Sequence, residues 1–105
     1  SVQPPDILYH GTTRRFANQI CTHGLISKNR QYVHLSVDPQ TALQVGRRRD
    51  DSPVLFQVDA KQAWDGGILF YIGNENIWLA DQIPPKYVRK MDAKTIVDFC
   101  KGENI

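Results

Sequence analysis

The residues best equipped for chemistry in this 105-residue chain fall on two short stretches. In the first, Ile7-Leu8-Tyr9-His10-Gly11-Thr12-Thr13, an apolar run climbs to an imidazole, a glycine opens the backbone and two hydroxyls follow. In the second, Tyr32-Val33-His34-Leu35-Ser36, alternation puts Val33 and Leu35 on one face and a phenol, an imidazole and a hydroxyl on the other. Glycine lets the main chain approach a ligand closely, and imidazoles can meet hydroxyls, so both stretches suit a ribose or an amide. Arg30, just before the second stretch, offers a planar guanidinium for a phosphate, and the adjacent rings Phe70-Tyr71 could stack a base. Together these side chains fit a polyanionic, ribose-bearing ligand. The plainer alternative is two strand-end histidines with a turn glycine and a surface arginine.

Other chemistries find no support. Cys21 and Cys100 fall on apolar helical faces without the polar neighbours that activate a thiolate, and are expected as core thiols. With no spaced Cys/His set, neither a metal site nor a disulfide framework is expected. The acidic residues sit singly in turns and caps, not as the facing pair that glycoside hydrolysis needs. Asp65-Gly66-Gly67 is no dinucleotide fingerprint, which requires a spaced glycine triplet between strand and helix. The net charge is only +2, but Arg14-Arg15, Lys28 with Arg30, Arg47-Arg48-Arg49, and Lys86 with Arg89-Lys90 concentrate it. Asp50-Asp51 partly neutralises the triple arginine. That run suits a phosphate or RNA surface, and equally a solvated helix end where cations favour the dipole. No apolar run approaches a membrane span and no signal peptide opens the sequence. The cytoplasm is the expected site of action, with delivery as a toxin domain the alternative.

The elements that must position these groups can be read in order. Phe16, Ala17, Ile20, Cys21 and Leu25 recur at helical spacing, with Gly24 as the stop. Leu25-Ile26-Ser27 begins a connection. Asp38-Pro39 caps a second helix with Ala42, Leu43 and Val45 inward. Val54 to Asp59 has the strongest strand composition, Ala60 to Trp64 makes a short helical turn, and Ile68 to Ile72 and Ile77 to Leu79 are further strands around the Gly73-Asn74 turn. Pro84-Pro85 breaks the pattern before a short strand at Tyr87-Val88, and Asp92 caps a last helix. Phe16, Val54 and Trp78 read as core. Composition is that of an ordinary soluble domain, 41% hydrophobic and 23% charged. The expected organisation is one α+β domain over residues 1–105, with residues 1–5 linker-like and 92–105 a C-terminal helical extension.

The order of these pieces resembles a known family. Leu8-Tyr9-His10-Gly11-Thr12, Gly24-Leu25, Arg30 before Tyr32-Val33-His34-Leu35-Ser36, Ala42 with Val45-Gly46, Val58-Asp59-Ala60, Phe70-Tyr71, Trp78-Leu79 and Ile83-Pro84-Pro85-Lys86-Tyr87 look like the C-terminal, NAD-binding lobe of RNA 2′-phosphotransferases. The resemblance runs from about Ile7 to Val88. It implies an ADP-ribosyltransferase-like fold, a split, bent, mixed β-sheet with two or three short helices. It also implies NAD as co-substrate and no metal. In that family an RNA 2′-phosphate attacks the nicotinamide ribose, nicotinamide leaves, and transesterification releases ADP-ribose 1″,2″-cyclic phosphate.

By the same resemblance Arg30, His34 and His10 would form the catalytic set. His10, Gly11, Thr12, His34, Leu35, Ser36, Gly46, Arg47 and Phe70 would contact NAD, with the first three at the nicotinamide riboside end. Ile77 stands where many protein-modifying relatives carry a catalytic glutamate, which fits a nucleophile that is already anionic. The family's N-terminal lobe, which supplies an arginine–histidine pair and a further arginine, is not in this stretch. NAD binding is therefore expected more firmly than phosphate removal. Two alternatives stand beside the catalytic lobe of an RNA 2′-phosphotransferase, either excised or partnered by a separate lobe. One is a stand-alone ADP-ribosyltransferase toxin domain acting on RNA or protein and restrained by an immunity protein. The other is a non-catalytic module that binds ADP-ribose or RNA.

Overall fold

The computed structural model describes residues 1–27, 31–92 and 94–98. Six strands form the main sheet, in the order β5 (Phe70–Ile72), β6 (Ile77–Ala80), β3 (Val33–Ser36), β1 (Ile7–Thr12), β4 (Val54–Asp59), β8 (Val88–Lys90). A two-stranded ribbon pairs β2 (Leu25–Ile26) with β7 (Gln82–Ile83). The α-helices are α1 (Arg14–His23), α2 (Pro39–Arg47) and α3 (Ala60–Asp65), with a 3₁₀ turn at Pro85–Tyr87 and helical residues at 94–98. The α+β class holds. Every described strand pair is antiparallel, which corrects the expectation of a mixed sheet.

Alternation along the strands sorts the side chains onto two faces. Leu8 of β1, Val33 and Leu35 of β3, Val54, Phe56 and Val58 of β4, Phe70 of β5 and Ala80 of β6 share the larger core. Ala17 and Ile20 of α1, Ala60 and Ala63 of α3, and Leu25 and Ile83 of the ribbon close it. On the opposite face Ala42 and Leu43 of α2 pack on Leu55, flanked by Tyr9, Met91 and Ile96.

Local chemistry explains the helix bounds. Asp38 caps α2, accepting from the Thr41 amide at 2.7 Å and the Thr41 hydroxyl at 2.9 Å, with Pro39 in the first turn. Asp59 caps α3 through the Gln62 amide at 3.1 Å, and Asp92 accepts from the Thr95 amide at 2.7 Å. Gly24 ends α1 at φ +79°, a conformation costly for any side chain, and a Cβ there would run into the Ile83 carbonyl.

Within residues 1–5, Pro4 is buried and the Val2 amide donates to the Phe70 carbonyl at 2.8 Å along the β5 edge. Four expectations change. Cys21 is exposed, not a core thiol, and Val45 is 40% exposed although its neighbours Leu43 and Gly46 are buried. Leu25 and Ile26 form a strand, not a connection. The strand expected at Tyr87 begins one residue later. Phe16 and Trp78 pack on the core while staying partly exposed, and Cys100 lies outside the described residues.

Candidate active site

β1 is bound unequally along its two edges. Six successive residues, Ile7 to Thr12, pair with β4, whereas β3 meets β1 at Tyr9 and Ser36 alone. Beyond that bridge the strands part, and His10 occupies the parting. Its Nδ1 lies 2.9 Å from the His34 carbonyl oxygen. A carbonyl can only accept, so Nδ1–H donates, and in the neutral ring Nε2 keeps its lone pair as an acceptor. Burial lowers the His10 pKa below the ordinary histidine value; the bond to the His34 carbonyl opposes the shift in part, and the nearby His34 imidazole adds a smaller depression. At pH 7 His10 is therefore a neutral, oriented acceptor beside Gly11.

The glycines here serve packing as well as access. A Cβ on Gly11 would collide with the Ala42 carbonyl oxygen of α2. A Cβ on Gly46 would lie 2.7 Å from Pro53 Cβ and 3.2 Å from the Thr12 amide nitrogen. The two glycines let α2 lie directly on the end of β1, so Gly46 is brought to Gly11 and Thr12. Leu35 and Phe70 have no exposed surface and belong to the core, and Ser36 is 4% exposed. Of the pair Phe70-Tyr71 it is Tyr71 that reaches solvent.

A basic groove of about 580 Å³ opens where α1 begins and α2 ends, lined by Thr13, Arg14, Arg15 and the Arg47-Arg48-Arg49 run. The run is thus both a helix end and a groove wall. Asp50 organises it. Its carboxylate accepts from the Arg14 amide at 2.9 Å and from Arg14 Nε at 3.0 Å, pairs with the guanidinium at 2.9 Å, and accepts from the Ser52 amide at 2.9 Å. Hydrogen bonds from the Arg14 side chain and amide, then from Ser52, hold the Asp50 carboxyl far below the usual carboxylate range. Asp50 thereby caps α1 from a distance, because Thr13 at the N-cap position makes no side-chain cap and its hydroxyl is buried without a partner. No local pattern announces this pair, whose partners lie 36 positions apart.

His34 projects from the face opposite His10. The register places it beside Leu79 of β6, which in turn pairs with Tyr71 of β5. Its Nδ1–H donates to the Tyr32 carbonyl at 3.1 Å, and the Tyr32 and Tyr71 rings meet at 5.4 Å. The His34 carbonyl ties the two residues together, and the His34 imidazole lies near enough to add to the depression of the His10 pKa. Ile77 pairs with Ser36. Among the described residues no group of three His, Cys, Asp or Glu side chains could hold a metal ion, and no helix is long and apolar enough to cross a membrane. Arg30 lies outside the described residues.

Comparison with known proteins places this arrangement in a family. Residues 1–82 match the family model described as RNA 2′-phosphotransferase, Tpt1 / KptA family. A "Probable RNA 2′-phosphotransferase" of Acetivibrio thermocellus is 60% identical over 86 residues, 82% of this chain and 47% of the relative. Proteins with the same description from Bacillus thuringiensis and Pseudomonas paraeruginosa are 49% identical over 85 residues and 48% identical over 87, covering 46% and 47% of their lengths. The chain spans just under half the length of these curated relatives. With a match of that extent and identity, the chain belongs to the RNA 2′-phosphotransferase family.

Proposed function

We propose that this chain is the NAD-binding portion of an enzyme that removes a 2′-phosphate from RNA. The observation that carries the reading is His10 at the parting of β1 and β3, fixed as the Nδ1–H tautomer with Nε2 free to accept. An acceptor of that kind, kept neutral by burial, suits a ribose hydroxyl. Gly11 and Thr12 continue the same strand edge toward the basic groove, where arginines meet the diphosphate or the RNA phosphate as planar forks. The single β1–β3 bridge and the bend it permits support an ADP-ribosyltransferase-like sheet.

In the reaction proposed, a phosphate oxygen of the RNA 2′-phosphate attacks C1″ of the nicotinamide ribose. The glycosidic bond breaks and nicotinamide departs with its electron pair. The ribose 2″-hydroxyl then attacks phosphorus, the RNA 2′-oxygen leaves and is protonated, and ADP-ribose 1″,2″-cyclic phosphate is released. The first nucleophile is already anionic, which agrees with the aliphatic Ile77 beside Ser36. Arg30 would stabilise the developing charge without proton transfer. A lobe corresponding to the half of the relatives' length that this chain does not span is the expected partner, and the cytoplasm the expected site of action.

The test is incubation with NAD and RNA carrying an internal 2′-phosphate, followed by mass spectrometry, with calorimetry of NAD binding in parallel. Loss of the phosphate as the cyclic product supports the reading. Gain of one ADP-ribose on an end phosphate or a hydroxyl points instead to a stand-alone RNA modifier. No heat at millimolar NAD, in wild type and His10→Ala alike, overturns it.

A further inference from the structure

The basic groove contains an ion pair whose two ends differ sharply in exposure. The Asp50 side chain is 9% exposed and the Arg14 side chain 68%. Asp50 is fixed from several directions. Its amide donates to the Gly46 carbonyl at 3.1 Å, and its carboxylate accepts from the Ser52 amide and the Arg14 amide, each at 2.9 Å. The same carboxylate takes Arg14 Nε at 3.0 Å and one terminal nitrogen at 2.9 Å, so it covers the side edge of the guanidinium. A guanidinium carries five N–H donors in one rigid plane, and its end edge, with both terminal nitrogens, is not part of this grip. Arg15 is braced differently, its guanidinium carbon 5.4 Å from the Phe16 ring centroid. Among the described residues five arginines and two aspartates line the groove, an excess of three positive charges where the whole chain carries +2.

An ion pair with so exposed a guanidinium adds little to stability, and an arginine of that exposure ordinarily keeps its rotamer freedom. Here a carboxylate anchored to Gly46, Ser52 and the start of α1 removes that freedom. A guanidinium fixed in advance loses less entropy when it takes a phosphate, which is how preorganisation raises affinity. The groove adjoins the strand end that carries Gly11 and Thr12, since a Cβ on Gly46 would lie 3.2 Å from the Thr12 amide nitrogen. We infer that the end edge of Arg14 takes a phosphate oxyanion of the ligand in this groove, and that Asp50 is the positioning residue that presents it. Asp50 thus favours anion binding although it is itself an anion. The diphosphate of NAD and the backbone of RNA offer the same oxyanion chemistry. The inference rests on the function proposed above for those two sources, whereas presentation of Arg14 requires only an anion.

The experiment is calorimetric titration at low salt with inorganic pyrophosphate, NAD and hexaadenylate RNA. Wild type, Asp50→Asn, Arg14→Ala and the double variant are compared, with circular dichroism to establish folding. Charge alone predicts that removing the Asp50 carboxylate tightens pyrophosphate binding. Positioning predicts the reverse: about tenfold weaker binding in Asp50→Asn, a similar loss in Arg14→Ala, and no further loss in the double variant, because Asp50 acts through Arg14. Tighter or unchanged pyrophosphate binding in Asp50→Asn, additive losses in the double variant, or no binding by wild type would each overturn the inference. Should Asp50→Asn fail to fold, Arg14→Lys decides. Lysine keeps the charge but has no second edge to offer a phosphate while it pairs with Asp50, so it is expected to bind as weakly as Arg14→Ala, and wild-type affinity would overturn the inference. A matching loss for NAD identifies its diphosphate as the source, and a matching loss for the RNA alone identifies the strand. The expected pyrophosphate pattern with no NAD binding by wild type would sink the function proposed above and leave this inference standing.

Discussion

The two edges of β1 show how one strand can serve as both scaffold and site. Toward β4 it is locked: six registered pairs, with Leu8 facing Val58 and His10 facing Phe56, and helices on both sides. Toward β3 it is tied by one bridge, and the ladder position that another pair would fill is taken by a side-chain bond from His10. Backbone groups left without a strand partner must find other partners, so an imidazole docked on the His34 carbonyl is what keeps the parting open and ordered. The closed edge holds the strand in place, and the open edge presents it. A ligand that enters the parting meets a surface whose position is set by the other edge.

The strongest way to break this contrast is to attack the closed edge. Phe56 has no exposed surface and sits opposite His10 on the core side of β4. Phe56→Ala is expected to cost about 3–5 kcal/mol of stability, read by denaturant unfolding, because a large ring leaves a cavity that close-packed neighbours fill poorly. A loss under 1 kcal/mol would show that the β1–β4 side is not the rigid one. Next in size is Gly11→Ala, where the new methyl meets the backbone of Ala42 and α2 must lift. The expected loss is about 1–3 kcal/mol, accompanied by a drop in NAD affinity, since the movement carries Gly46 away from Thr12. Unchanged affinity in a destabilised Gly11→Ala protein would separate packing from binding at this glycine.

How much of this was legible in the sequence depends on the range of the interaction that decides it. The Asp38-Pro39 cap, the Gly24 stop and the β4 strand are local, set by residues within one turn or by period-two alternation, and the sequence carries them openly. The pairing of Leu25-Ile26 with Gln82-Ile83 is a two-residue contact across half the chain, too short to leave any period. Strand direction is likewise a tertiary property, and the mixed sheet was an expectation carried by resemblance. Among the candidate site residues, alternation already separates Phe70 from Tyr71, but which of the two faces inward is settled only when β5 docks on β6. The same holds for His10 and His34: their types could be read from the chain, but the bond from His10 to the His34 carbonyl joins residues 24 positions apart and leaves no local pattern. Cys21 illustrates the width of a helix stripe, one position past Ile20 and already in solvent.

The smallest effect sharpens the comparison most, because it reports on the open edge alone. Burial favours neutral His10, so its pKa in the folded protein lies below that in the unfolded chain. The sign follows from linkage: above about pH 6.5 both states hold the ring neutral and its contribution to stability is fully present. As pH falls below that value the unfolded chain takes up the proton first, and stability declines until the folded-state pKa is passed. His10→Gln, which removes the titration and keeps an amide donor for the His34 carbonyl, is expected to flatten the fall of Tm between about pH 6.5 and the acid limit. Nitrogen chemical shifts of the wild-type ring should show Nδ1 protonated and Nε2 bare at pH 7, the reverse of the tautomer that predominates in free histidine. An Nε2–H tautomer would mean that the bond to His34 is not made in solution. The parting of β1 and β3 would then have no internal partner holding it open, and the acceptor on which NAD binding is argued would face the protein instead of the ligand.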